Sequence, residues 1–236
     1  MHKVDREIAS ATVLARLLQF GDSTFPIGSF SFSSGLESAI QTGVVCDAPT
    51  LCAFARTAVE QIARGDGIAL IAAHRAAMVG DIDALIQIDK QVEARKLSEE
   101  MRAMTVRMGK KYMEMSALIT GAPLLVKWRD CIESSVTPGC YPVTLAVNFA
   151  GQGMSSLGAF VVHQYGAAAI ILGAALRLMR VSHIDTQSIF YELNGRIASA
   201  YENAAAASLS DMSSYAPLTD ILAAVHTRSH VRLFMN

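Results

Sequence analysis

A stripe of apolar residues at helical spacing runs through residues 97–118 and constrains the fold more than any other sequence feature. Its members recur at steps of three or four positions: Leu97, Met101, Met104, Met108, Tyr112, Met115 and Leu118. Charged residues fill the positions between them, which predicts a helix with one buried and one solvated face. The same period recurs along most of the chain, and no comparable stretch alternates with period two. We therefore predict an all-α fold.

The chain is predicted to form a single all-α domain over residues 1–236. Its 52% hydrophobic content is ample for a buried core, and it contains no internal repeat or low-complexity linker. A single-domain helical bundle of roughly eight to ten helices follows. Predicted helices cover residues 47–64, 68–78, 81–92, 97–118, 155–180, 186–207 and 218–226. Asp47 is expected to cap the first of these, Gly65 and Gly67 to end it, and residues 134–142 to form a loop.

Charge and cysteine content exclude several functional classes. Lys and Arg total 20 against 21 Asp and Glu, so no overall field favours a nucleic-acid backbone or an anionic membrane. The apolar stretch 165–176 is well short of the roughly 20 residues that a membrane-spanning helix needs, and is predicted to be a core helix. The four cysteines lack C-x-x-C spacing, and the N-terminal residues lack a signal-peptide pattern. We expect a cytoplasmic protein without nucleic-acid or membrane partners.

No catalytic motif is present in the sequence. Neither a G-x-x-x-x-G-K-[ST] phosphate loop nor a G-x-S-x-G nucleophile elbow occurs. No catalytic, cofactor-binding or metal-binding residue is predicted. The alternative is a helical metal-dependent hydrolase that uses His226 and His230, which are four positions apart and would share one helix face. His163, inside an apolar helix, is predicted to be a hydrogen-bonded core residue.

The most unusual segment is residues 25–37 (FPIGSFSFSSGLE), in which three aromatics stand among serines and glycines. The aromatics Phe25, Phe30 and Phe32 are too closely spaced for a helix stripe. Pro26 and Gly28 predict a turn, and the serines that follow can cap a helix that begins near residue 33 or 34. Two interpretations remain open. The aromatics either fill a gap between helices or form an exposed docking surface.

The end of the chain combines an arginine with apolar residues, in the order Arg232, Leu233, Phe234 and Met235. Arginine and aromatic residues are frequent at interface centres, whereas a chain terminus is mobile unless another element holds it. A disordered tail over residues 227–236 and a partner-binding tail are both compatible with this composition.

Four segments together resemble the urease accessory protein family UreF. They are residues 25–28 (FPIG) with 34–37 (SGLE), residues 96–109 (KLSEEMRAMTVRMG), residues 141–142 (YP) and residues 220–234 (DILAAVHTRSHVRLF). Their order and spacing match the family pattern over nearly the whole chain. Departures occur at Phe25, where leucine is commoner, at Phe32, where tyrosine or histidine is usual, and at Cys140, which replaces a histidine.

The resemblance implies an all-α, homodimeric scaffold without an active site. Its expected partners are UreD (also called UreH), the GTPase UreG and urease apoprotein, and its expected role is in nickel delivery. Nickel and GTP are expected on the partner proteins, and no cofactor on this chain. The tail is expected to order when a partner binds, and Arg102 or Arg107 to stimulate the GTPase as an arginine finger. The predicted partner-binding residues are Phe30, Phe32, Glu37, Arg102, Tyr141, His226, Arg232, Leu233 and Phe234.

Overall fold

The computed structural model describes residues 3–226 and 233–234, with side chains from residue 11 onward and excluding 225–226. Twelve α-helices, and no strand, occur among these residues. The helices are α1 (Lys3–Gly21), α2 (Leu36–Gln41), α3 (Ala48–Ile62), α4 (Ile68–Met78), α5 (Ile82–Ala94), α6 (Glu99–Thr120), α7 (Pro123–Glu133), α8 (Tyr141–Gly151), α9 (Ser156–Leu178), α10 (His183–Asn194), α11 (Ile197–Ala206) and α12 (Pro217–His226). The predicted all-α class is confirmed.

The helix count exceeds the expected eight to ten for two reasons. The helix predicted over residues 186–207 is divided at Gly195 into α10 and α11. In addition, α7 was not predicted. It begins at Pro123, whose fixed backbone angle suits the first helical position, and it buries Leu125, Trp128 and Ile132 on one face.

Local capping signals place two helix starts where the sequence predicted them. The Asp47 side chain accepts a hydrogen bond of 2.9 Å from the Thr50 amide at the start of α3. The Asp81 side chain accepts one of 2.9 Å from the Ala84 amide at the start of α5. Each bond satisfies an amide that lacks a partner in the first turn of the helix.

The prediction that Gly65 and Gly67 end α3 is wrong. A π-helical segment, Ala63–Gly67, carries the chain directly from α3 into α4. A Cβ atom at Gly67 would lie only 2.6 Å from Cε2 of Phe160 on α9. The glycine is therefore required by helix packing, and it does not break the helix.

Helix α8 lies at the centre of the bundle, with its residues from Pro142 to Ala150 all buried. Helices α4 and α6 make its most extensive contacts, and α7 and α9 also pack against it. The α6 contact is unusually close, because a Cβ atom at Gly109 would lie 2.0 Å from the carbonyl oxygen of Gly139. Only glycine allows α6 to approach the start of α8 so closely.

The apolar stripe of residues 97–118 is confirmed only in its middle. Met108 and Tyr112 are buried, whereas Leu97 and Leu118 are exposed. The buried face of α6 also includes small and polar residues that apolar periodicity overlooks, namely Thr105, Gly109, Ser116 and Ala117, together with Met113. Small residues belong there because α8 lies so close.

Helix α9 is the one helix among those described that is long and apolar enough to cross a membrane. Other helices of the bundle pack along it, among them α1, α3, α4, α8 and α10. More than half of its apolar window is buried inside the protein. This packing agrees with the predicted core helix over residues 165–176.

The loop of residues 134–140 is held in place by the buried carboxylate of Asp89 on α5. That carboxylate accepts hydrogen bonds from the Thr137 hydroxyl (2.6 Å), the Gly139 amide (2.6 Å) and the Cys140 amide (2.8 Å). Burial raises the pKa of Asp89 above its ordinary value, although the hydrogen bonds oppose this effect. Burial and the nearby Asp89 carboxylate likewise raise the pKa of the Cys140 thiol, so this cysteine remains protonated at neutral pH.

Candidate functional site

The three aromatics of residues 25–37 have different surroundings, so each of the two open interpretations holds for part of the segment. Phe25 and Phe32 are 8% and 3% exposed, whereas Phe30 is 74% exposed. Phe25 packs against Phe20 and Tyr112, with ring centroids 5.5 Å and 5.2 Å apart. Phe25 and Phe32 therefore fill the space between helices. Phe30 is the one aromatic of the segment that a partner can reach.

Local backbone geometry presents Phe30 at the surface. Gly28, with a φ of 75°, precedes a single 3-10 turn at Ser29–Ser31, and Phe30 is the middle residue of that turn. Gly35, with a φ of 81°, immediately precedes α2. Positive φ angles of this kind favour glycine. The predicted turn and helix start are both present, although α2 begins at Leu36.

Glu37 joins residues 25–37 to the end of the chain. Its carboxylate accepts hydrogen bonds from the amides of Leu233 (2.8 Å) and Phe234 (3.1 Å), which are more than 190 positions away. Glu37 itself is only 4% exposed, and Phe234 is 6% exposed. We call this arrangement of Glu37 with the Leu233 and Phe234 amides the tail clamp. A buried carboxylate that accepts two amide hydrogens is a strong anchor for a chain end.

Arg177, in the last turn of α9, contacts both residues 25–37 and the end of the chain. Its Nη2 donates a hydrogen bond of 3.0 Å to the Phe30 carbonyl. Its guanidinium also lies 4.3 Å from the centroid of the Phe234 ring, in a cation–π contact. Arg177 was not among the residues predicted from the sequence. The available signal was a single cation in the last turn of an otherwise apolar helix.

Helix α12 brings the chain end towards residues 25–37 by packing against α2. A Cβ atom at Gly35 would lie 3.4 Å from both the Ala223 nitrogen and the Thr219 carbonyl oxygen. The contact is therefore made backbone against backbone. Leu36, Leu222 and Phe234 then share one apolar cluster with α3 and the second half of α9.

An apolar depression of about 260 Å³ lies beside the exposed Phe30. We call it the methionine groove. Its lining includes Met101, Met104 and Met108 of α6, Tyr141 of α8, and Ile170 and Gly173 of α9, together with Phe30 and Arg177. Methionine side chains are flexible and polarisable, and they adapt to a range of apolar partners. The groove therefore suits the binding of another protein.

A buried histidine and a half-buried tyrosine on the groove wall are unsuited to acid–base chemistry at neutral pH. His163 stacks on Tyr141 with ring centroids 5.7 Å apart, and burial lowers its pKa to about 4. Burial also raises the pKa of Tyr141, so both rings are neutral. His163 is buried as predicted, but the predicted hydrogen bond is not found at its Nδ1, which has no partner among the described residues. Among the described residues, no cluster of three metal-ligating side chains is present.

A nearly buried ion pair also borders the groove. The Lys96 ammonium lies 2.6 Å and 2.7 Å from the two carboxylate oxygens of Asp66, which belongs to the π-helical segment. Both side chains are about one-seventh exposed. The pair connects the segment between α3 and α4 to the residues that precede α6, and it was not predicted from sequence.

The remaining predicted residues divide into those that the structure describes and those that it does not. Arg102 is half-buried and donates hydrogen bonds to the carbonyls of Lys96 and Leu97, so its guanidinium braces the start of α6. His226 is the last residue of α12, and its side chain lies outside the described residues. His230 and Arg232 also lie outside them. The structure thus brings together Phe30, Glu37, Leu233, Phe234 and, across the groove, Tyr141.

Comparison with known proteins gives consistent matches. A family model described as UreF matches residues 45–194. A protein named urease accessory protein UreF 2 from Brucella canis is 56% identical over 223 residues, which cover 94% of this chain and 92% of that protein. A protein named urease accessory protein UreF from Yersinia enterocolitica is 51% identical over 227 residues, covering 96% and 100% of the two chains.

Proposed function

Because the chain belongs to the UreF family of urease accessory proteins, we propose that it supports urease maturation as a non-catalytic scaffold. In this proposal it acts as a cytoplasmic homodimer that binds a UreD-type (UreH-type) protein and the GTPase UreG. The assembled complex then acts on urease apoprotein, to which nickel is delivered. Nickel and GTP are bound by the partner proteins in this scheme.

The tail clamp is the observation that carries the scaffold proposal. It holds Leu233, whose side chain is 66% exposed, close to the segment that exposes Phe30. Arg177 bonds to one of these segments and stacks on the other, so the two are positioned as one unit. Exposed apolar side chains on a rigid base, next to a methionine-lined groove, have the composition of a protein-binding surface.

Co-purification tests the part of this surface that Phe30 supplies. The chain, carrying an affinity tag, is co-expressed with the UreD-type and UreG-type proteins of the same organism, and the complex is resolved by size exclusion. Phe30→Ser is expected to lower the yield of the complex, because an exposed anchor is lost without any change in packing. Tyr191→Ser is the matched control, since Tyr191 is 85% exposed on α10.

The two variants give distinct outcomes. If the Tyr191→Ser protein retains its partners and the Phe30→Ser protein loses them, the surface around Phe30 is the docking site. If all three proteins recover their partners equally, Phe30 has no role in docking. If the unaltered chain recovers neither partner, the scaffold proposal fails.

Deletion of residues 228–236 tests the contribution of the tail. We expect the truncated protein to lose the UreD-type partner and to keep its helical circular dichroism, because twelve helices lie wholly before the deletion. The homodimer is checked independently by light scattering of the purified chain. Unchanged co-purification of the truncated protein would remove the tail from the proposal.

The alternative of a metal-dependent hydrolase that uses His226 and His230 is not favoured, because the family is one of accessory proteins. An arginine-finger role is more difficult to assign to Arg102 than the sequence suggested, since its guanidinium is bonded to backbone carbonyls. The remaining candidate is Arg107, which is exposed on α6. The GTPase activity of UreG is therefore compared in the presence of the unaltered chain and of the Arg107→Gln variant.

A further inference from the structure

A second cavity, of about 550 Å³, lies among α3, α9 and α11 and shares no lining residue with the methionine groove. The π-helical segment and residues 207–213 complete its wall. Its volume falls within the range of small-molecule sites, which is about 300 to 1,000 Å³. None of its lining residues belongs to residues 25–37 or to the described tail residues 233–234, so the cavity is separate from the docking surface proposed above.

A buried amide without a partner lines the cavity. Gln164 of α9 is 1% exposed, and neither its amide nitrogen nor its amide oxygen has a hydrogen-bond partner among the described residues. Buried side-chain polar atoms in folded proteins nearly always have a partner, so an amide with both ends free indicates an additional binding group. The missing group must offer an acceptor next to a donor, because the amide presents one of each.

Three arginines, Arg56, Arg64 and Arg196, also line this cavity. Glu60 pairs with Arg64 at 2.7 Å, whereas a single oxygen of Glu192 is shared between Arg56 at 3.8 Å and Arg196 at 3.5 Å. The guanidiniums of Arg56 and Arg196 thus make only long contacts with one oxygen of Glu192. Most of their N–H groups do not donate to this oxygen.

Three carboxylates lie beside the three arginines of the cavity. Glu60 and Asp211 are in the wall, and Glu192 pairs with two of these arginines from outside it. Asp211 accepts hydrogen bonds from the amide and hydroxyl of Ser208, and these bonds lower its pKa. Three arginines and three carboxylates therefore balance. The guanidinium donors that Glu192 leaves unused, and not a net charge of the lining, suit one localised anionic group.

We propose that the cavity binds an adenine nucleotide. The glutamine amide pairs with the N6 and N7 edge of adenine through one donor and one acceptor, which is the complement that Gln164 lacks. The phosphate lies against Arg56 and Arg196. The aliphatic side chains of Val59, Ile68 and Ile197 provide the apolar wall that a planar base and its sugar need.

Calorimetric titration of the purified full-length chain with AMP tests this proposal. We expect AMP to bind at one site, and adenosine and inorganic phosphate to bind more weakly, because each lacks one half of the recognised chemistry. Gln164→Leu should weaken AMP binding by about tenfold or more, since a bidentate base contact is lost. Arg196→Gln should weaken binding of AMP and leave that of adenosine unchanged.

Two controls separate binding from folding. Gln87→Leu removes an exposed glutamine on α5, away from the cavity, and should leave AMP binding unchanged. Gln164→Leu should melt at the same temperature as the unaltered protein or higher, because it removes an unsatisfied buried amide. The proposal is overturned if AMP does not bind, if Gln164→Leu binds it equally well, or if inorganic phosphate binds as tightly as AMP.

Discussion

Two buried carboxylates in this protein accept the same kind of hydrogen bond and hold very different parts of the chain. Glu37 binds the amides of Leu233 and Phe234 at the end of the chain. Asp89 binds the amides of Gly139 and Cys140, together with the Thr137 hydroxyl, in the loop that leads into the central helix. Both side chains are less than 5% exposed.

The surroundings of the bound segment distinguish the two carboxylates. The loop held by Asp89 lies against Gly109 and leads into α8, so its position determines how the core packs. The segment held by Glu37 leaves Leu233 exposed and places Phe234 in the apolar cluster of α2, α3 and α9, which does not include α8, so its release need not disturb the packing of the central helix. A carboxylate of the first kind contributes to global stability. One of the second kind controls a detachable surface.

Asp89→Ala should have the largest effect. It leaves three buried donors without an acceptor, and each such donor costs about 1 to 3 kcal/mol, so we expect a loss of at least about 3 kcal/mol of unfolding free energy. Urea denaturation measures this loss. Asp83→Ala, at an exposed carboxylate on the same helix, is the control and should cost under about 1 kcal/mol. Equal losses for both variants would show that Asp89 does not brace the core.

The pH dependence of stability isolates the charge of Asp89. Because burial raises its pKa in the folded protein, the folded state holds the proton more tightly than the unfolded chain does. The contribution of Asp89 therefore decreases as the pH rises through this raised pKa. Asp89→Asn cannot titrate, so the stability of the unaltered protein relative to this variant should increase on acidification towards pH 3.8, the ordinary pKa. A constant difference would contradict the raised pKa.

Gly109→Ala should have the next largest effect. The added methyl group would lie 2.0 Å from the Gly139 oxygen, so α6 and the loop must move apart. Such overpacking costs about 1 to 3 kcal/mol. Gly166→Ala on α9 is the matched control, because no atom lies within 4 Å of its added Cβ and alanine favours a helix. Equal denaturation midpoints for the Gly109→Ala and Gly166→Ala proteins would show that α6 and α8 are not in close contact at Gly109.

Glu37→Gln should have a smaller and more local effect. One of the two backbone amides that Glu37 binds then loses its acceptor or faces an NH₂ group, at a cost of about 1 to 2 kcal/mol. We expect faster hydrogen exchange at the Leu233 and Phe234 amides and nearly unchanged exchange in α8. This outcome separates the tail clamp from the brace at Asp89. Faster exchange in α8 as well would show that the chain end is part of the core.

Short-range features of the fold were predictable from sequence. Capping by Asp47, the first part of the loop predicted over residues 134–142 and the core helix around residues 165–176 each depend on residues a few positions apart. The last two residues of that predicted loop are instead the first two of α8. The errors arose where packing overrides local preference. Gly67 sits inside a continuous helical path because Phe160 occupies the space of its side chain.

The candidate site was predictable only as separate pieces. Residues 25–37 and the tail were each identified, but nothing in a single sequence states that Glu37 bonds to Leu233. The same holds for Arg177, whose role depends on three segments meeting at one point. The exposure of each aromatic side chain could not be predicted either, since Phe30 and Phe32 are two positions apart and, of these two, only Phe30 is exposed.

Leu233→Ser should have the smallest effect on stability. It distinguishes most clearly the segment held by Glu37 from the loop held by Asp89. The side chain of Leu233 is 66% exposed, so its loss should cost under about 0.5 kcal/mol. The backbone amide still bonds to Glu37, and its hydrogen exchange should therefore remain slow. Co-purification with the UreD-type partner should nevertheless fall, because the exposed contact is gone while the clamp persists. If the partner is retained in full, the clamp positions Phe234 alone, and the detachable surface is smaller than proposed.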